Sequence, residues 1–222
     1  MTQDGIGAPA RQEPEPLPGT PAGEAASAPA RKRPRPGERR VQILQTLAAM
    51  LQHPRGEKIT TAALAARLEV SEAALYRHFA SKAQMFEGLI EFIEQTIFGL
   101  INQITAKEEQ GARQLQDIIR MLLSFADKNP GMTRVLIGEA LVNEDERLQE
   151  RINQLLDRIE SSLKQSLRIG MTQAAWPADT DAAARASLIL SAIVGRWHRY
   201  AKSGFRKSPS TDLEVMMRTL LA

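Results

Sequence analysis

The stretch from Ile59 to Phe86, ITTAALAARLEVSEAALYRHFASKAQMF, constrains this chain more than any other part, because two short helices, a tight turn and the start of a third helix fall within it. Such a helix-turn-helix lays one helix across a DNA backbone and the second in the major groove. Thr60 or Thr61 can cap the first helix, in which Ala62, Ala63 and Ala65 let a neighbour approach closely while Leu64 and Leu68 supply apolar contact. Ser71 caps the second, and Val70 with Leu75 forms a hydrophobic staple across that cap. The spacing predicts a recognition helix over Glu72 to His78. Leu75 and Phe79, four apart, face inward and leave Ala73, Ala74, Tyr76, Arg77 and His78 toward the groove. Ser81 and Gln84 make a capping box for the next helix. Lys82 falls in that helix's first turn, where a cation is unfavourable unless an anion sits beside it, so a phosphate contact is expected there.

The chain before this stretch changes character twice. Residues 1–37 hold eight of the twelve prolines and almost no large apolar side chains, the composition of a disordered tail. The tail ends in a basic cluster, Arg31, Lys32, Arg33, Arg35, Arg39 and Arg40. Next to a helix-turn-helix, Arg33, Arg35 and Arg39 are expected to follow the DNA backbone or enter the minor groove. A first helix over about 38–52 carries Ile43, Leu44, Leu47, Ala48 and Leu51 as one stripe. The DNA-binding set then comprises the arm, Thr60, Thr61, Ser71, the exposed face of the recognition helix and Lys82.

From Ser81 onward the pattern is helical: about 82–106, 112–128, 131–142, 144–169, 179–203 and 211–221. The fold class is therefore all-α, with about nine helices: a three-helix DNA-binding domain over 38–84 and a helical partner-binding and dimerisation domain over 85–222. The segment Ala182 to Val194 is apolar or small nearly all round and is expected to be buried on most sides. It and the last helix suggest a four-helix homodimer interface through Leu188, Ala192, Leu213, Met216, Met217 and Leu220. Two recognition helices about 34 Å apart would read a palindrome in double-stranded DNA.

Other classes are less favoured. A chain without cysteine has neither disulfides nor thiolate metal sites, which fits a cytoplasmic protein. No run reaches the roughly 18 apolar residues of a membrane span, and the first residues lack a signal peptide's apolar core. An enzyme is not expected. His53, His78 and His198 are the only histidines, no nucleophile elbow or phosphate loop occurs, and no cofactor or metal is implied. His198, beside Trp197 and Tyr200, reads as structural.

The basic arm, TTAALA, VSEAALYRHF and the following SK resemble the TetR family of dimeric DNA-binding proteins, with Leu75, Tyr76, Arg77, His78, Phe79, Ser81 and Lys82 as the hallmark. LIEFIE, NPGMTRVL and DERLQERINQLLDRIE extend the similarity, over about 38–222, to the nucleoid occlusion members of that family. The resemblance implies a nucleoid-associated protein that binds palindromic chromosomal sites and, on DNA, antagonises the division tubulin FtsZ; the number of dimers per site stays open. One departure is Glu69, where the family usually has glycine at the turn. A left-handed backbone there would cost about 1 kcal/mol.

A partner face has a starting point in the pattern. Phe92 and Phe98 lie off the apolar stripe of their helix, and Met121, Ser124 and Lys128 lie off that of the next. The resemblance implies that Phe92, Met121, Lys128 and Asn129 belong to the FtsZ-binding face. The alternative is a ligand-responsive TetR-type repressor, with Met132, Trp176, Trp197, Tyr200 and Phe205 lining a small-molecule cavity, although such residues are more often core.

Overall fold

Helix α1 (Glu38–Leu51) forms on the expected stripe, and Ile43, Leu44, Leu47, Ala48 and Leu51 are all buried. The computed structural model describes residues 37–53 and 59–222. The tail, with Arg33 and Arg35 of the basic arm, lies outside the described residues. Along the rest run α2 (Thr61–Arg67), α3 (Glu72–Tyr76), α4 (Lys82–Lys107), α5 (Gly111–Lys128), α6 (Pro130–Leu136), a 3-10 turn over Glu139–Leu141, α7 (Glu146–Thr172), α8 (Ala182–Lys202) and α9 (Leu213–Leu221). Among the described residues no strand occurs.

Helices α5, α7 and α8 form the centre of the body, and α4 lies against α5 and α7. On α4, Leu89, Ile90, Ile93 and Ile97 are wholly buried, each contributing about 1.5–3 kcal/mol. Close approach of α5 to α7 depends on Gly111, whose Cα lies against the backbone of Ser166 and Gly170, so a Cβ would collide. At the same junction, Ser166 Oγ donates to Gln114 Oε1 at 3.2 Å and satisfies a polar pair within the core.

Helix α6 attaches the DNA-reading helices to this body. Pro130 starts it at a position where the missing N–H costs nothing. Gly131 then seats its backbone on the carbonyl of Ala48 in α1, again with no room for a Cβ. Arg134 Nη1 donates to the carbonyl of Leu51 (3.1 Å), left without a helical partner at the C-terminus of α1, and to that of His53 just beyond it (3.4 Å). Its Nε reaches Glu139 Oε1 at 3.0 Å, and Lys202 of α8 reaches Glu139 Oε2 at 3.0 Å. A polar relay thus runs from α8 through the 3-10 turn and α6 to α1.

Some expectations need correction. The sixth helix does not reach 142; it stops at Leu136 because Gly138 takes φ 75° and turns the chain. Helix α8 is not buried on most sides within one chain: Leu188 is 58% exposed, and Ala184, Ser187 and Ser191 lie open with it. His198 is likewise exposed rather than packed in the core. Glu69 keeps the left-handed geometry at φ 54° despite its side chain.

Removing Arg134 should strip the carbonyls of α1 and leave Glu139 short of a partner. Arg134→Ala is expected to lower stability by about 2–3 kcal/mol in urea unfolding. Burial pushes the Glu139 carboxyl up, but Lys202 and Arg134 outweigh it and hold the group below its ordinary value of 4.5. A depressed carboxyl stabilises the fold above its unfolded value and loses that contribution as pH falls through its folded one. The defect of Glu139→Gln, clear at neutral pH, should therefore fade in acid.

Candidate nucleic-acid interface

The helix-turn-helix is assembled by local hydrogen bonds from the side chains singled out in the sequence. Thr60, rather than Thr61, caps α2, its Oγ1 accepting from Ala63 N at 3.1 Å. Thr61 instead donates to Glu72 Oε2 at 2.6 Å and ties α2 to the first turn of α3. Ser71 caps α3 by accepting from Ala74 N at 3.3 Å, and Ser81 caps α4 by accepting from Gln84 N at 3.1 Å. Gln84 Oε1 returns to Ala80 N, one residue before the cap, at 2.9 Å.

Helix α3 is shorter than expected and ends at Tyr76, with Arg77 as its C-cap. Leu75 and Phe79 are both buried in the common core, Phe79 beside Gly88 of α4, and hold the opposite face outward. On that face Ala73, Tyr76, Arg77 and His78 are exposed and Ala74 is half-buried. Arg40 has a part that its place in a basic cluster concealed: Nη1 donates to the carbonyl of His78 at 3.0 Å, and the guanidinium sits 4.2 Å from the Phe79 ring centre. It anchors the end of the recognition helix to α1. Arg39 donates to Gln42 Oε1 at 2.7 Å on the first turn of α1.

Lys82, expected to meet a phosphate beside the N-terminus of α4, has its Nζ paired in this structure with Glu144 from the loop before α7. The compensating anion comes from the protein, 62 residues along the chain. No local pattern marks Glu144, since the ordinary acidic run around it gives no hint of a distant partner. Both groups keep some solvent access, with side chains 27% and 18% exposed, so the pair is open to exchange with another anion.

The partner-face residues sit on neighbouring helices. Phe92 of α4 and Met121 of α5 are half-buried, and Lys128 is exposed at the end of α5. Phe98 is covered by the guanidinium of Arg158, 4.0 Å from its ring centre, and Arg158 is in turn paired with Glu94. Asn129 joins two helices: its Nδ2 donates to the Phe125 carbonyl at 2.7 Å, and its own carbonyl accepts from Thr133. Half of its amide is therefore committed to structure.

Of the residues expected between protomers, Leu188 is exposed, while Ala192, Leu213, Met216 and Leu220 are half-buried. Met217 is only 4% exposed and packs into its own chain, which removes it from the set. Val215, 55% exposed, and Gly195, with open space above it, share the outward faces of α9 and α8 and were missed. The aromatic residues suggested for a ligand cavity are built into packing. Trp197 is wholly buried, Trp176 Nε1 donates to the Leu221 carbonyl at 2.8 Å, and Tyr200 donates to the Asp127 carbonyl at 3.0 Å while meeting Phe205 edge-on. Among the described residues no helix is long and apolar enough to cross a membrane, and no group of three His, Cys, Asp or Glu is placed to hold a metal.

A capped helix-turn-helix on an all-helical body defines a DNA-binding regulator of the TetR type. Residues 48–89 match the family described as bacterial regulatory proteins, tetR family, and residues 109–222 the SlmA-like form of the tetracyclin repressor-like C-terminal domain. The fold is shared with the fatty acid degradation regulator FadR of Bacillus halodurans at TM-score 0.71, over 84% of this chain and 96% of that one, at 14% identity. Sequence likeness is far higher to the nucleoid occlusion factor SlmA of Colwellia psychrerythraea, 47% identical over 83% of this chain and 93% of that one. The factor of the same name from Alteromonas mediterranea is 48% identical over 78% and 88%. The chain belongs to the SlmA family of nucleoid occlusion factors, which are regulators and not enzymes.

Two changes test the local construction. Ser71→Ala should cost about 1 kcal/mol through loss of the cap. Glu69→Gly should recover up to about 1 kcal/mol by relieving the left-handed residue. Both are read as shifts in the urea midpoint.

Proposed function

We propose that this protein, as a dimer on palindromic chromosomal sites, antagonises assembly of FtsZ and so keeps a septum from forming over the nucleoid in the cytoplasm. The observation that carries this reading is the likeness to the nucleoid occlusion factors, which spans both the DNA-binding helices and the body. Double-stranded DNA is met by Arg39, the outward side chains of α3, the caps of α2 and α3, and Lys82. The arm residues Arg33 and Arg35 extend that contact. FtsZ is met on α4 and α5 by Phe92, Met121, Lys128 and the free oxygen of Asn129. The two protomers join through Leu188, Ala192, Leu213, Met216 and Leu220, with Val215 added.

The two binding functions share a helix. Lys82 opens α4 and Phe92 lies ten residues further along it, which supplies a rigid element between phosphate and partner. In the free protein Glu144 holds Lys82. On DNA, phosphate takes the lysine and releases Glu144 with its loop, where Val142 is 67% exposed.

Three measurements bear on these assignments. With chromosomal fragments recovered by the protein itself, Phe92→Ala and Lys128→Glu should bind DNA normally yet lose inhibition of GTP-driven FtsZ assembly in a sedimentation assay; unchanged inhibition rules out this face. Lys82→Ala should weaken DNA binding and reduce the slope of affinity against salt by about one, whereas Glu144→Gln should strengthen binding a few-fold, an advantage that vanishes in the Lys82→Ala background. Leu188→Glu should yield monomers in sedimentation equilibrium and lower DNA affinity with them.

A further inference from the structure

The loop between α8 and α9 encloses a cleft of about 520 Å3 lined by Arg196, Arg199, Arg206, Lys207, Asp212 and the hydroxyl-bearing Ser208 and Thr211, with Pro209 between them. Four cations face it against one carboxylate. Cations in the last turn of a helix ordinarily complement its dipole, and this accounts for Arg199. Arg206, past the end of the helix, also serves it by donating from Nε to the Ser203 carbonyl at 2.9 Å, whereas Lys207 has no such bond and lines the same space. Among the described residues no carboxylate pairs with Arg199, Arg206 or Lys207.

The loop holding them is tightly built. Arg196 Nη1 donates to the carbonyls of Pro209, at 3.0 Å, and of Thr211. Ser203 Oγ accepts from the backbone N–H groups of Arg206 (3.1 Å) and Lys207 (2.9 Å). Ser208 Oγ donates to Asp127 Oδ2 at 3.1 Å and fastens the loop to the end of α5. Phe205 and Asp212, neither of them glycine, take left-handed backbones at φ 61° and 54°, each costing on the order of 1 kcal/mol. Strain kept in a well-pinned loop is a mark of sites that hold something. Like charges gathered in one pre-formed space repel one another, and an anion relieves that repulsion.

We infer that this cleft binds a compact, multiply charged phosphate compound, such as inorganic pyrophosphate or the polyphosphate portion of a nucleotide. The guanidinium groups of Arg199 and Arg206 offer forked donors to phosphate oxygens, and Lys207 adds a mobile ammonium. The volume suits a ligand of this size. No aromatic ring lines the cleft, so the phosphates and not a base carry recognition.

Calorimetric titration of the full chain at low ionic strength tests this, with pyrophosphate, ATP, adenosine and sulfate as separate ligands. Pyrophosphate and ATP should each saturate one site per chain with similar affinity, and adenosine should not bind. Arg199→Gln and Lys207→Gln, on exposed side chains, should each weaken pyrophosphate by about tenfold or more, while Arg168→Gln on α7 leaves it unchanged. Hydrogen exchange on the unaltered protein should show pyrophosphate protection confined to about residues 196–212. Absence of saturable heat, equal binding of sulfate, an equal loss in Arg168→Gln, or protection elsewhere would overturn the proposal. So would dissociation of the dimer by Arg199→Gln or Lys207→Gln, which would make the cleft part of the contact between protomers.

Discussion

The seating of α6 on α1 is the contact on which the rest of the molecule depends. A helix carrying Gly131 meets the backbone of Ala48 with no side chain between them, and Arg134 then takes the carbonyls that α1 cannot satisfy for itself. Helices α2 and α3 share the core of α1 through Leu47, Leu64, Leu75 and Phe79, and Arg40 of α1 holds the His78 carbonyl. Helix α6 is tied to the body through Glu139 and Lys202, through Thr133, whose hydroxyl donates to the Ala126 carbonyl of α5, and through its buried Val135 and Leu136. A displacement of α8 therefore has a short, hydrogen-bonded path to the recognition helix, made of groups that lose their partners if they move separately.

A second path crosses the same boundary at Lys82 and Glu144. A partly exposed ion pair is worth little, and for that reason it can be exchanged for another anion at small cost. The helix dipole of α4 favours an anion at this point whether it comes from protein or DNA. Glu144 supplies the anion at the start of α4, and Arg40 supplies donors just past the end of α3 by holding the His78 carbonyl. The charges around the helix-turn-helix thus divide into those spent on building it and those left outward, and an apparently uniform basic run contains both kinds.

Exposure divides the last two helices in a comparable way. Met217 and Leu188 are both large apolar residues on helices with a strong apolar face. One is enclosed by its own chain at 4% exposure, and the other is 58% exposed. Within α9 the same division separates Met217 from Val215, which lies two positions earlier and is 55% exposed. On α8 the space over Gly195 is likewise open.

Much of this was legible in the residues themselves, because caps and staples act within four positions and amphipathic stripes repeat every turn. Ser71, Ser81, a threonine cap at Thr60 or Thr61, the inward Leu75 and Phe79 and the stripe of α4 belong to that class, while the left-handed turn at Glu69 was expected from the family resemblance. Tertiary structure alone decided which of the remaining polar groups were already spoken for. Glu144 reaches Lys82 across 62 residues, Arg134 reaches the end of α1, Arg158 covers Phe98, and four cations converge on one cleft from α8 and the loop beyond it. Periodicity places a side chain on a face of its own helix, but a charge finds its partner through space, and that depends on how the helices pack.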